Sequence, residues 1–203
     1  MRTLVALLIV SGSITSALAD PAQPPAVNAS SLPAQCRSVA SSPPDARTPA
    51  PALDAAIFAA NCTAMVNERQ VRVTPTPAGA QALAQAISPS AALLDAVIQS
   101  SDPERQIVAL HSKGDLYEGA AVRFLSMIPP LPPGSVGRDL ATHYALVDAA
   151  SQLVQPWRDQ AKVAYAQVAA IAAQVPNLVA SNPVIAYDVR DSAYGARSVI
   201  ATR

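Results

Sequence analysis

The stretch that decides the fold runs from Leu140 to Val175: LATHYALVDAASQLVQPWRDQAKVAYAQVAAIAAQV. Leu140, Tyr144, Val147, Val154, Trp157, Ala161, Tyr165, Val168, Ile171 and Val175 recur at steps of mostly three and four residues. That period puts them on one side of an α-helix and is incompatible with the two-residue alternation of a half-buried strand. Pro156 interrupts the run. It has no N–H to donate, so the pattern reads either as one long helix kinked there or as two abutting helices, the second opened by Pro156. Pro176 closes the stretch.

Working outward, the same period returns on both sides. Asp54 to Glu68 carries Ile57, Phe58, Met65 and Val66 among alanines, with Cys62 near the middle. Pro77 to Ile87 reads as a short Ala-rich helix. Ser88-Pro89 then looks like a cap and a first-turn proline opening a further helix to about Gln99, with Leu93, Leu94, Val97 and Ile98 inward. Asp102-Pro103-Glu104 is another start: capping acid, proline at the first helical position, acid in the first turn. That helix is expected to end near Ser112, with Lys113-Gly114 as a turn. Asp115 would cap the next helix and Glu118 would complete a capping box. The run Pro129-Pro130-Leu131-Pro132-Pro133-Gly134 is a break. Asn182-Pro183 opens a last helix with Ile185, Val189, Ala193, Ala196 and Ile200 as its apolar stripe. Nothing reads as a strand pair. The expected class is all-α, packed helical hairpins in a repeat-like or irregular bundle.

Composition agrees with this reading. The chain has 203 residues, 51% of them hydrophobic but only 4% aromatic. Roughly a fifth is alanine, which favours helix because ordering it costs no side-chain entropy. Charge is balanced, with 14 basic and 14 acidic residues. A neutral chain lacks the basic footprint that nucleic-acid binding needs, and nothing in it attracts an anionic membrane surface.

The first residues, MRTLVALLIVSGSITSALAD, contain in order a basic start, an apolar run from Leu4 to Val10, and the small-x-small site Ala17-Leu18-Ala19. These are the parts of a secretory signal peptide, so residues 1–19 are expected to be removed and the chain exported to the periplasm or beyond. Ser11-Gly12-Ser13 ends the apolar run short of the roughly 20 residues a membrane span needs. No later segment reads as a span. Residues 20–50 are rich in Pro, Ala and Ser, with little apolar periodicity, and read as a flexible lead-in. A single helical domain then covers 51–203.

An oxidising compartment favours pairing the two cysteines, and Cys36 with Cys62 is the one connectivity available. Closing a loop of that size contributes on the order of 3 kcal/mol.

The segment KGDLYEGAAVRFLSMIPPLPPG, residues 113–134, resembles the second helix of a tetratricopeptide repeat, with Tyr117, Ala120, Phe124 and Pro132 at that family's spacing. Ala161, Tyr165 and Val168 echo it, so the resemblance extends over about residues 103–176. Val108 and His111 depart from the pattern of the preceding helix. The resemblance implies a protein-binding scaffold without catalysis.

Chemistry is sparse. His111 and His143 are the only histidines. His143 with Asp139 or Asp148 could supply a base and its orienter, but no nucleophile accompanies them, and a plain helix histidine is the simpler reading. His111 reads as a helix C-terminal histidine that favours the dipole. Gly134-Ser135-Val136-Gly137 lacks the form of a nucleophile elbow. No phosphate-binding glycine loop, haem attachment motif, cofactor site or metal site is expected. Asn28-Ala29-Ser30 and Asn61-Cys62-Thr63 match glycosylation sequons. The usage of 12 Arg to 2 Lys points to a GC-rich bacterial source, in which both sequons are chance. On the last helix Tyr187, Arg190, Tyr194 and Arg197 share one face, and these residue types are enriched at partner contacts. The sequence thus leads to an exported, non-catalytic interaction or scaffold protein that meets another exported or envelope protein. The alternative is a helical-bundle carrier of a small apolar ligand or lipid.

Overall fold

The computed structural model describes Pro33, Ala34, Cys36 and residues 49–201. The expected leader and most of the Pro-rich lead-in lie outside these residues. From residue 49 onward six helices follow one another: α1 (Pro49–Gln70), α2 (Pro77–Ile98), α3 (Pro103–Ser126), α4 (Arg138–Ala172), α5 (Pro176–Ser181) and α6 (Pro183–Ala201). No strand occurs among the described residues, so the all-α expectation holds.

Several boundaries differ from the sequence reading, and each has a local cause. α2 runs unbroken through Pro89 and α4 through Pro156. Both prolines are solvent-exposed. The carbonyls they leave without a donor belong to Gln85 and Gln152, four residues earlier, and those residues are exposed too. Water can satisfy them, so neither proline ends its helix. Unbroken, Pro77–Ile98 is long and apolar enough to cross a membrane by length and composition. Its Leu83, Ile87, Leu94 and Val97 are nevertheless buried against other helices.

α3 continues through Lys113-Gly114, so the expected turn there is absent. Asp115 and Glu118 are therefore mid-helix residues and form no capping box. The starts at Asp102-Pro103 and Asn182-Pro183 are as expected. Asp102 Oδ1 accepts from Arg105 N at 3.2 Å, and Asn182 Oδ1 accepts from Val184 N at 3.0 Å. Thr76 Oγ1 does the same for Gly79 N at 3.2 Å.

α1 packs on α2, α2 on α3 and α3 on α4, while α3 also touches α1 and α6 and α4 also touches α6. The main core lies among α1, α2, α3 and α4 around Leu53, Leu83, Leu94 and Phe124. Trp157 closes it, meeting Phe124 edge to face at 6.1 Å. A second core of Ile107, Leu110, Val168 and Ile185 joins α3, α4 and α6. Burial along α4 begins at Ala150. Ahead of it Tyr144 is 62% exposed, so the front of the long stripe is uncovered.

Cys36 and Cys62 are bridged, with Cα atoms 5.8 Å apart. Cys36 is fully buried beside Ala59 and Val66 of α1.

Candidate functional site

The last helix buries the stripe expected of it only in part. Ile185 is inside, Val189 packs half-buried against the second core and Ala196 is half-buried, but Ala193 is exposed. The buried positions are Ile185, Asp188, Ser192 and Gly195, a helical row in which only the first is a large apolar residue. Asp188 and Ser192 on that row face His111 of α3.

The centre is His111 of α3. It stands above Asp115 by one turn, at the i,i+4 spacing that places both side chains on one face. His111 Nε2 lies 3.4 Å from Asp115 Oδ2, 3.7 Å from Asp191 Oδ2 and 3.9 Å from Asp188 Oδ1. His111 Nδ1 lies 3.1 Å from Ser192 Oγ, and Ser192 is fully buried. From α4, the Tyr165 hydroxyl bridges Asp115 Oδ1 and Glu118 Oε2, each at 2.9 Å. The rings of Tyr165 and His111 are tilted neighbours, 6.3 Å between centroids.

Four carboxyl groups thus surround one imidazole and one phenol. The environment shifts two of these groups. Burial pushes the Asp188 carboxyl above the ordinary carboxylate range. Asp115 and Asp191 add to this, while His111 opposes it. Burial, then the charge and hydrogen bond of Asp115, and then those of Glu118, hold the Tyr165 phenol far above the usual tyrosine range. The cluster can bind a positive centre or move a proton between His111 and a carboxylate. No cysteine or second histidine joins it among the described residues.

His111 reads from sequence as a dipole-favouring terminal residue. It is instead mid-helix, because α3 does not stop at Ser112. The local signals were His111-x-x-x-Asp115 and Asp188-x-x-Asp191-Ser192. What brings them together is a pairing of helices some 80 residues apart, and periodicity within a helix does not encode that.

His143 goes elsewhere. It lies in an open groove with Asp139, Arg138 and Pro132, and meets Tyr144 at 6.2 Å. Among the described residues no hydrogen bond or ion pair joins it to Asp139 or Asp148. On the outer side of α6, Tyr187 and Tyr194 are 52% and 68% exposed. Arg190 and Arg197 are exposed beside them, and the Arg190 guanidinium sits 5.8 Å from the Tyr187 ring centroid.

No family model, curated protein or solved structure matches the chain.

Proposed function

We propose that this chain is an exported, non-catalytic interaction protein that presents the outer face of α6 to another exported or envelope protein. The observation that carries this is the exposed row Tyr187, Arg190, Tyr194 and Arg197. Tyrosine and arginine are enriched at partner contacts, where the tyrosine ring supplies large contact area at low entropic cost. Here they stand on a helix held from its other side by Ile185 and the polar cluster, so a partner would meet a preformed surface. Export is supported by the leader at residues 1–19 and by the Cys36–Cys62 bridge. The grooves along α4 are open and carry Lys113 and Asp159, or Asp148 and Arg158. That suits contact with a protein better than enclosure of an apolar ligand.

The test is affinity capture from an envelope fraction with wild type and with Tyr187→Ala/Tyr194→Ala. A protein retained by the wild type and lost by the double variant, at unchanged melting temperature, is the expected result. Identical recovery by both would refute the assignment of this face.

A further inference from the structure

We propose that His111, Asp115, Asp188 and Asp191 bind one divalent first-row transition-metal ion between α3 and α6. From sequence alone no metal site is expected. It emerges only when the two helices are set side by side, and it does not depend on the partner-binding reading of the outer face.

The spacing comes first. A tetrahedral ion with bonds of about 2.1 Å holds its ligand atoms about 3.4 Å apart. His111 Nε2 has three carboxylate oxygens at 3.4, 3.7 and 3.9 Å. The ligand atoms of His111, Asp115 and Asp191 all lie within 4.8 Å of one another.

An independent observation is the state of Asp188. Its side chain is only 10% exposed, and among the described residues it accepts no hydrogen bond. Its one partner of opposite sign is the same imidazole nitrogen, at 3.9 Å. A buried carboxylate without hydrogen bonds is costly, and a coordinated cation removes that cost. The surrounding charge points the same way. Asp115, Asp188 and Asp191 converge on one basic group, His111, and among the described residues no Lys or Arg pairs with any of them.

The groups behind the ligands are also in place. In the tautomer that donates Nδ1–H to Ser192 Oγ, the Nε2 lone pair faces the carboxylates. Tyr165 binds Asp115 through Oδ1, leaving Oδ2 for the ion. Such outer partners fix ligand orientation and typically account for tenfold or more in affinity. An imidazole among the ligands selects a first-row divalent ion over calcium or magnesium, which take oxygen alone.

The experiment is equilibrium dialysis and calorimetry of the full mature chain, disulfide intact, with Zn²⁺. Co²⁺ would serve as the spectroscopic probe and Ca²⁺ as the competitor. The expected result is one Zn²⁺ per chain, undisturbed by Ca²⁺, and a Co²⁺ spectrum reporting nitrogen and oxygen ligands. Asp115→Asn and Asp191→Asn, each keeping a side-chain oxygen at a half-exposed position, should each weaken binding by roughly tenfold or more. Ser192→Ala should weaken it less, and His143→Ala should leave it unchanged. If the folded wild type takes up no Zn²⁺, if Asp115→Asn and Asp191→Asn both bind as wild type does, or if His143→Ala abolishes uptake, the site is not the one proposed.

Discussion

Tyr165 lies between two glycines. A Cβ on Gly114 of α3 would come within 2.2 Å of its ring, and one on Gly195 of α6 within 2.6 Å. The absent methyl groups let α3 and α6 approach α4 closely enough for the phenol to reach Asp115 and Glu118. Gly114→Ala sets two effects against each other. Alanine favours helix by about 1 kcal/mol, while overpacking costs about 1–3 kcal/mol, and displacing the ring also breaks its hydrogen bonds. The expected net result is a loss of about 1–2 kcal/mol in urea unfolding. Gly119, on the same helix, faces open space, and a Cβ there would meet nothing within 4 Å. Gly119→Ala should therefore stabilise by up to about 1 kcal/mol, and the opposite signs separate packing from propensity. Tyr165 also sets a pH dependence. Its phenol stays protonated in the fold well beyond the range in which an unfolded tyrosine ionises, about pH 10. Above that pH the unfolded chain binds fewer protons than the folded one, so stability falls as pH rises. Urea midpoints measured from pH 8 to 11 should show this decline, and Tyr165→Phe should reduce it to the part that the Tyr117 phenol, also raised by burial and by Asp95, leaves.

At the scale of the element, the prolines explain why helix ends are harder to read from sequence than helices. Pro103 and Pro183 follow a capping Asp or Asn whose side chain accepts backbone N–H groups, and there the start is legible. Ser88-Pro89 looks the same in sequence, yet Ser88 sits inside α2. Pro89 and Gln85, whose carbonyl it strands, are both exposed, so water can stand in for the missing bond, and that depends on packing and not on the dipeptide. Lys113-Gly114 misleads for a related reason: the glycine answers a neighbouring ring, not a turn. The faces are legible wherever aliphatic side chains are buried, as at Leu94, Val97, Val154 and Val168. α6 is not, because its inner row carries Asp188 and Ser192, and amphipathic reasoning assigns polar residues outward. Pro156→Ala in α4 restores a missing donor and removes ring strain. The wider freedom it gives the unfolded chain offsets part of that gain. A net gain on the order of 1 kcal/mol in urea unfolding is expected, with helical ellipticity unchanged or slightly raised.

For the whole molecule, stability rests on two apolar cores and one covalent tie. The Cys36–Cys62 bridge spans 26 residues of sequence and brings a residue from ahead of α1 into a fully buried place beside Ala59. Reducing it should remove on the order of 3 kcal/mol, read as a lower denaturant midpoint in the presence of reductant. That dependence would be harmless in an oxidising compartment and a liability in the cytosol. α4 also divides the molecule unevenly. From Ala150 onward it is held by both cores, whereas the dozen residues ahead bury no side chain fully. A single unbroken helix therefore has two lifetimes. Its forward turns, with half-buried side chains at most, can fray and re-form at lower cost than the rest, so their amides should trade protons for deuterons long before those after Trp157 do.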